Sequence, residues 1–274
     1  MTAVVCALLA AVTFGGMSVA VRRGLGAGGA ATSTLATLLP AFVIAAAAST
    51  IRHDYAGAWK FFLAGLIAPG LSQVIFTRAI QEAGAARVSV VAGTAPFAAV
   101  IVALVFLHEP FRAPVIIGGV VIVLGGLLLA AEKGRPGHVK TIGLFLGVLA
   151  TTLFAVRDNL VRAIHAGASP ETASVAILFA GVLVSSLWAR QVPTRIELRR
   201  MAPAGILFGL SYLALFEAYF HGRVEIVSPL TATESLWAVW FTSIFLGKSE
   251  HVGRRVLIGA LFVVAGGVLI GVYR

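Results

Sequence analysis

The stretch VIIGGVVIVLGGLLL at residues 115–129 returns later in the chain as VLIGALFVVAGGVLI at residues 256–270. The two stretches align without gaps at an offset of 141 residues, and each follows an acid at the same distance, Glu109 in one case and Glu250 in the other. Each has the length of one apolar helix, and glycines coincide at positions 118/259, 125/266 and 126/267. A duplicated apolar chain of this kind predicts a transporter assembled from two related halves.

The composition predicts an integral membrane protein. Of the 274 residues, 59% are hydrophobic and 12% are charged, whereas soluble domains carry roughly 25% charged residues. The 21 basic and 11 acidic residues give a net charge of +10. We expect the basic residues at helix ends, anchored to phospholipid headgroups, and no nucleic-acid partner. Cys6 is the only cysteine, which excludes an intrachain disulfide.

Ten segments have the roughly 20 mostly apolar residues that a helix needs to cross a bilayer. Pro114, Pro170 and Pro203 are expected in first turns, and Pro69 is expected to break the third span internally. The predicted spans are 4–21, 32–50, 59–80, 88–107, 114–131, 141–163, 170–189, 202–220, 224–246 and 255–273.

The internal alignment extends through both halves of the chain. Residues 89–97 match residues 228–236 at an offset of 139, and Val21-Arg22 matches Val161-Arg162 at an offset of 140. The sequence therefore predicts one five-helix repeat at 1–131, a linker at 132–140 and a second repeat at 141–274. Because five is odd, the second copy enters the membrane in the opposite direction. The predicted fold is an all-α membrane protein with ten transmembrane helices, arranged as two inverted five-helix repeats around a central cavity.

Three GxxxG pairs are expected to pack helices within this bundle rather than to drive dimerisation, and we expect a monomer or a homodimer. The pairs are Gly143/Gly147, Gly205/Gly209 and Gly267/Gly271.

The distribution of basic residues gives an expectation for orientation. If both termini were cytoplasmic, the opposite side would hold most of the arginines and lysines, so the positive-inside rule favours termini outside the cytoplasm. An even number of spans requires only that the termini share a side.

Glu234 is the most deeply placed acid, about ten residues into the ninth span, where a charge costs on the order of 3 kcal/mol unless it faces a partner or a cavity. Its counterpart in the first copy is Ala95, so it is not part of the shared scaffold. It is either a substrate or proton site or one half of a structural ion pair with an arginine. Trp237 lies on nearly the same helix face; the pair suits a cationic or aromatic solute, or the indole packs against lipid or core.

Further polar residues within spans are candidates for the same site. Arg157 and Asp158 are adjacent in the sixth span. They either line a cavity, or one of them forms a structural ion pair with another helix. Arg78 and Glu217 occupy equivalent positions at an offset of 139, and they either line a shared cavity or, in the case of Arg78, reach the headgroups. The remaining candidates are Gln73 and Tyr212.

No catalytic motif, phosphate-binding loop, cysteine pair or metal-ligand spacing is present, so we expect no enzyme, no cofactor and no metal.

Two segments carry a resemblance to a known family: FTRAIQEAGAARVSVVAGTAPFAAVIVALVFLHEPF at residues 76–111 and IVSPLTATESLWAVWFTSIFLGKSEHV at residues 226–252. With Glu109 and Glu250 before the last helix of each copy, the chain resembles the EamA family of the drug/metabolite transporter superfamily. The resemblance implies a ten-helix bundle with a cavity that opens alternately to each side, outward movement of metabolites or toxic compounds, often with proton exchange, and cytoplasmic termini. The family's tryptophan-glycine pair of the first span is Phe14-Gly15 here.

The sequence thus predicts a secondary active transporter of a small organic metabolite or drug-like solute, an exporter working by alternating access and proton coupling, in the bacterial or archaeal inner membrane. A passive channel is the alternative, although it needs a continuous polar stripe. An intramembrane enzyme would need a catalytic pair such as Asp158 with Glu234 or Glu217.

Overall fold

The computed structural model describes residues 2–26, 29–50, 55, 57–95, 97–98, 113–130, 140–164, 167–189, 191–222, 227, 230–247, 250 and 252–273. All regular structure in these ranges is helical. Glu109, most of the predicted linker 132–140 and the second half of the fourth span lie outside them.

The helices follow one another in the order of the predicted spans. Their bounds are α1 Thr2–Gly24, α2 Ala30–Ser49, α3 Ala58–Gly65, α4 Ser72–Ala83, α5 Ala85–Ala92, α6 Ala113–Ala130, α7 Thr141–Ile164, α8 Pro170–Ala189, α9 Arg195–His221, α10 Glu234–Phe245 and α11 Arg254–Tyr273.

Six apolar helical stretches in the described part of the chain are long enough to cross a bilayer, which fits an integral membrane protein. They are Thr2–Gly24, Ala30–Ser49, Ala58–Ala83, Thr141–Val161, Pro170–Ala189 and Arg195–His221.

A π-helical segment, Leu66–Leu71, joins α3 to α4 and interrupts the third span where Pro69 was expected to break it. Ala68 has the extended torsion angles φ −147° and ψ 121° inside this segment. The offset between the two copies changes here, from 140 residues at Gly65/Gly205 to 139 residues at Gly70/Gly209. The first copy therefore carries one additional residue, and the wider π turn accommodates it.

Helix α9 begins seven residues before the predicted eighth span. A capping box sets its start: the backbone N–H of Glu197 donates to the hydroxyl of Thr194, and the backbone N–H of Thr194 donates to the Glu197 carboxylate at 2.8 Å. Pro203 consequently lies inside the helix, and its expected place in a first turn is wrong.

Equivalent glycines of the two copies make equivalent contacts. A methyl group on Gly65 would lie 2.8 Å from Cβ of Ala180 and against the carbonyl oxygen of Ile177. A methyl group on Gly205 would lie 2.9 Å from Cβ of Pro40 and against the carbonyl oxygen of Thr37. Residues 37/177 and 40/180 are themselves paired at an offset of 140. Helix α3 therefore packs on α8 as α9 packs on α2.

The repeated glycines of the last spans meet each other between α6 and α11. A methyl group on Gly125 would lie 2.8 Å from the carbonyl oxygen of Gly259, and one on Gly118 would lie 2.8 Å from that of Gly266. Low residue numbers in α6 thus face high numbers in α11, so the two helices run antiparallel.

Helices α2 and α8, the second span of each half, also run antiparallel. Near the start of α2, the hydroxyl of Thr32 donates to the carbonyl oxygen of Ala189 at the end of α8. Further along, the rings of Phe42 and Phe179 have their centroids 5.7 Å apart. In both pairs, α2 with α8 and α6 with α11, a helix of the first half therefore contacts its own counterpart from the second half, and the two run in opposite directions.

Candidate substrate and proton site

The charged centre of the molecule is built around Arg157 on α7. Its side chain is 4% exposed and forms an ion pair with Asp158, with 2.7 Å between Nη2 and Oδ1. The guanidinium also donates a hydrogen bond to the hydroxyl of Tyr212 on α9. It lies 4.9 Å from the centroid of the Tyr212 ring and 5.7 Å from that of Phe216. One carboxylate, one hydroxyl and aromatic faces therefore offset part of the cost of burying this cation, while Nε of Arg157 has no hydrogen-bond partner among the described residues.

A second tyrosine extends the centre toward α10. The hydroxyl of Tyr219 interacts with the carboxylate of Asp158 and also with Thr231. Glu234, the first residue of α10, lies within electrostatic range of Asp158 and Arg157. One guanidinium and two carboxylates therefore share a small volume among α7, α9 and α10, and we call these residues with both tyrosines the charged cluster.

The charged cluster occupies a place that is neutral in the first copy. Arg157 corresponds to Met17 at an offset of 140, and Tyr212 corresponds to Gln73 at an offset of 139. The equivalent residues of the first copy also touch each other, with Nε2 of Gln73 4.0 Å from Sδ of Met17, but neither side chain is charged. The two halves thus provide the same scaffold, and only the second half places charges on it.

Aromatic rings fill the centre of the bundle where the halves meet. Phe14 and Phe154 are equivalent at an offset of 140, and their ring centroids lie 6.1 Å apart in an edge-to-face arrangement. Phe76 lies 5.6 Å from Phe14 and 5.7 Å from Phe154, and Phe208 lies 6.0 Å from Phe14. We call these four residues the aromatic cluster.

The side of the molecule where α1 and α4 end and α7, α9 and α11 begin carries many arginines and lysines, and we call it the basic face; the opposite side is the terminal face. At the basic face Arg22 binds Glu250 of the α10–α11 connection, with 2.6 Å between Nε and Oε1. The Arg22 guanidinium also donates to the carbonyl oxygens of Ile80 and Gln81, and the backbone N–H of Ala85 donates to Glu250. These bonds tie both halves together at the basic face.

Comparison with known proteins finds a family match for part of the chain. Residues 1–131 match the EamA-like transporter family. Members of this family, which is part of the drug/metabolite transporter superfamily, are transporters and not enzymes.

Among solved structures, 20 chains match this chain. One of them, described only as a crystal structure of a protein, has a TM-score of 0.71 at 18% sequence identity over 97% of this chain and 95% of its own. This likeness shows the fold alone. The comparison with curated proteins found no match.

Two predicted site residues lie apart from the charged cluster. Arg78 is half exposed and pairs with Glu82 four residues later, at 2.5 Å, beside Lys140 at the basic face. Glu217 pairs with His221 four residues later, at 3.2 Å. Arg78 and Glu217 are therefore not brought together, and each forms the corresponding pair in its own helix.

Trp237 packs against the first helix of the EamA-like half. Its Cβ would lie 3.0 Å from a methyl group on Gly15, and its ring meets those of Trp240 and Phe241 at 5.9 and 6.2 Å. Trp240 is 53% exposed. Because Gly15 has no side chain, α1 and α10 can approach closely at this position. This contact explains why the Phe14-Gly15 pair needs its glycine.

Sequence reasoning missed Tyr219, Phe154 and the partnership of Arg22 with Glu250. The internal repeat could have identified Phe154, since Phe154 is the counterpart of Phe14. It held none for the others, because their contacts join residues that are far apart in the chain.

Proposed function

We propose that the protein is a secondary active transporter that exports a small organic solute across the bacterial or archaeal inner membrane by alternating access, in exchange for protons. The match of residues 1–131 to the EamA-like transporter family supports a transporter. We propose the class of solute, the direction of transport and the coupling to protons from the residues of the charged cluster.

The charged cluster carries the proposal. Arg157 is engaged by Asp158 and Tyr212, whereas Glu234 makes no ion pair with any residue that the structure describes. With both acids ionised, the cluster has one net negative charge. That charge favours an organic cation or a proton at Glu234, and competition between the two for one carboxylate is the simplest basis for exchange.

The antiparallel pairing of equivalent helices supports an inverted repeat. Helices α2 and α8 run in opposite directions, as do α6 and α11. A twofold axis that relates such pairs must lie perpendicular to the helices, hence in the membrane plane. We infer that residues 141–274 form a second EamA-like repeat and that ten helices enclose the transport pathway.

The aromatic cluster favours a carrier over a passive channel. Phe76 and Phe208 are fully buried and Phe154 is 7% exposed, so the rings fill the centre between the charged cluster and the basic face. Transport past this point requires the halves to move, whereas a channel needs a continuous polar path.

The experiment is a flux assay in proteoliposomes. Thermal-shift measurements against amino acids, sugars, nucleosides and cationic dyes first identify a stabilising solute. Efflux of that solute is then followed together with the internal pH, which an enclosed dye reports. We expect Glu234→Gln to abolish proton movement coupled to the solute and to flatten the pH dependence of the flux.

Glu197→Gln is the matched control, because it also removes one carboxylate but leaves a glutamine that completes the capping box with Thr194. It should transport like the natural protein. If Glu234→Gln transports normally at every pH and keeps its proton coupling, Glu234 is not the coupling residue.

A further inference from the structure

A groove of about 520 Å³ runs along the bundle between α1, α9 and α10 in the half next to the basic face. It is separate from the charged cluster, which lies nearer the terminal face. Its walls are almost entirely apolar, and the side chains that matter most below are those of Ala20, Leu207, Phe241 and Phe245. Thr13 lines its inner end, but its hydroxyl donates to the carbonyl oxygens of Leu9 and Ala10 in its own helix.

The length of the groove corresponds to one leaflet of a bilayer. It follows α1 from Val12 to Gly24, which at 1.5 Å per residue is about 18 Å. Half of a hydrocarbon core of about 30 Å is about 15 Å. The groove therefore has the length and the apolar surface that an acyl chain of the basic-face leaflet requires.

Two arginines stand at the mouth of the groove. Arg23 and Arg200 both line it and are exposed, and the end of α1 brings them together, because Gly24 lies against the backbone of Arg200 and Gly26 against its guanidinium. Arg22 is turned to Glu250 and does not contribute. Glu197 attracts Arg200, but its carboxylate is bound to Thr194. In the described part of the chain neither Arg23 nor Arg200 forms an ion pair.

We propose that this groove binds an anionic phospholipid, with the phosphate between Arg23 and Arg200 and one acyl chain along Ala20, Leu207 and Phe241. The planar guanidinium groups match phosphate oxygens in geometry as well as in charge. Helix α1 belongs to the first half of the chain and α9 and α10 to the second, so the lipid contacts both halves.

The test is native mass spectrometry of the purified protein in mild detergent with equal amounts of phosphatidylglycerol or phosphatidylcholine carrying the same acyl chains. We expect phosphatidylglycerol to be retained about 30-fold more strongly, which corresponds to about 1 kcal/mol for each arginine. The double variant Arg23→Gln/Arg200→Gln should lower the retention of phosphatidylglycerol to the level of phosphatidylcholine.

Arg195→Gln/Arg199→Gln is the matched control. It removes two exposed arginines from the same end of α9 that do not line the groove, and it should keep the preference. Ala20→Phe tests the acyl-chain position, because it fills the groove and leaves both arginines in place; we expect it to lower phosphatidylglycerol retention at least several-fold. Unchanged elution and helical content confirm that each variant is folded.

Three results would overturn the proposal. Equal retention of the two lipids would show that charge does not select the ligand. An equal loss in both arginine double variants would show adsorption to a generally basic surface. Full retention by Ala20→Phe would show that the lipid does not occupy the groove.

Discussion

Glu250 is fully buried while its partner Arg22 keeps 19% of its side-chain surface. A carboxylate in such a place depends on its cation, because removing one member of a buried pair leaves the other charge without compensation. The second carboxylate oxygen of Glu250 has no hydrogen-bond partner among the described residues, so Arg22 and the backbone N–H of Ala85 supply the observed stabilisation.

We predict that Glu250→Gln lowers the free energy of unfolding by about 2–4 kcal/mol, since glutamine can still accept from Ala85 but leaves Arg22 unpaired. The double variant Arg22→Gln/Glu250→Gln should cost at least 1 kcal/mol less than the sum of the two single variants. Chemical unfolding in detergent, followed by helical content, measures the four proteins of this cycle. Additive single effects would mean that the ion pair does not stabilise the basic face.

The sequence could name charged residues but not their partners. Arg157, Asp158 and Glu234 were predicted as charged residues within apolar segments and Tyr212 as a further polar residue there, and the structure brings these four together. The depth of a residue follows from hydropathy, whereas Arg157 and Tyr212 are 55 positions apart in the chain and meet through a side-chain contact between α7 and α9. Their roles in transport stay predictions until the flux of variants is measured.

At the level of helices, the adjacent glycines Gly125 and Gly126 of α6 differ in how closely neighbouring atoms approach them. A methyl group on Gly125 would lie 2.8 Å from the carbonyl oxygen of Gly259 and 3.0 Å from Cβ of Phe262, whereas one on Gly126 would meet nothing within 4 Å. Both glycines recur in α11, so the repeat alone does not distinguish them. Only the structure identifies the one at which α6 and α11 touch.

We predict that Gly125→Ala destabilises the protein by about 1–3 kcal/mol, because backbone opposes the new methyl group and the helices must separate. Gly126→Ala should be neutral or stabilising by up to about 1 kcal/mol, since alanine favours the helix. Thermal unfolding of both variants in the same detergent provides the comparison. Equal midpoints for the two variants would contradict the close contact between α6 and α11.

Helix positions were largely predictable because hydropathy determines which segments cross a bilayer. The start of α9 was not, since the Thr194–Glu197 capping box extends the helix through four charged residues that do not belong to an apolar span. The break at Pro69 was predictable, but its form was not, because the π segment depends on how one extra residue is accommodated against α8.

For the whole molecule, equivalent positions in the two halves have unequal exposure. Asp158 retains 22% of its side-chain surface, whereas its counterpart Ser18 is fully buried. The Arg22–Glu250 pair lies on the basic-face side of both residues, and along α1 Ser18 lies about one turn nearer the basic face than Phe14 of the aromatic cluster. Under the proposed alternating access, this conformation is closed at the basic face, and its counterpart would expose Ser18 and cover Asp158.

This asymmetry leads to a labelling prediction in a Cys6→Ser background. Asn159→Cys, next to Asp158, should react with a membrane-impermeant maleimide from the terminal face, and Ser18→Cys should be unreactive from both faces. Opening at the basic face would break the Arg22–Glu250 ion pair, so Glu250→Gln should favour the conformation that is open there. If the closed conformation loses about 2 kcal/mol of stability, the ratio of open to closed molecules at the basic face rises about 30-fold. Ser18→Cys should then react from the basic face while labelling of Asn159→Cys slows.

The opposite signs of the two changes distinguish a shift between conformations from a general loosening of the bundle, which would accelerate both reactions. Sealed vesicles of each orientation separate the two faces, and Glu197→Gln in place of Glu250→Gln controls for the removal of a carboxylate, since the capping box accepts glutamine. Rates at both positions that stay unchanged with Glu250→Gln would mean that the ion pair does not bias the access of the cavity. Rates that rise together would mean that it only holds the helices in place.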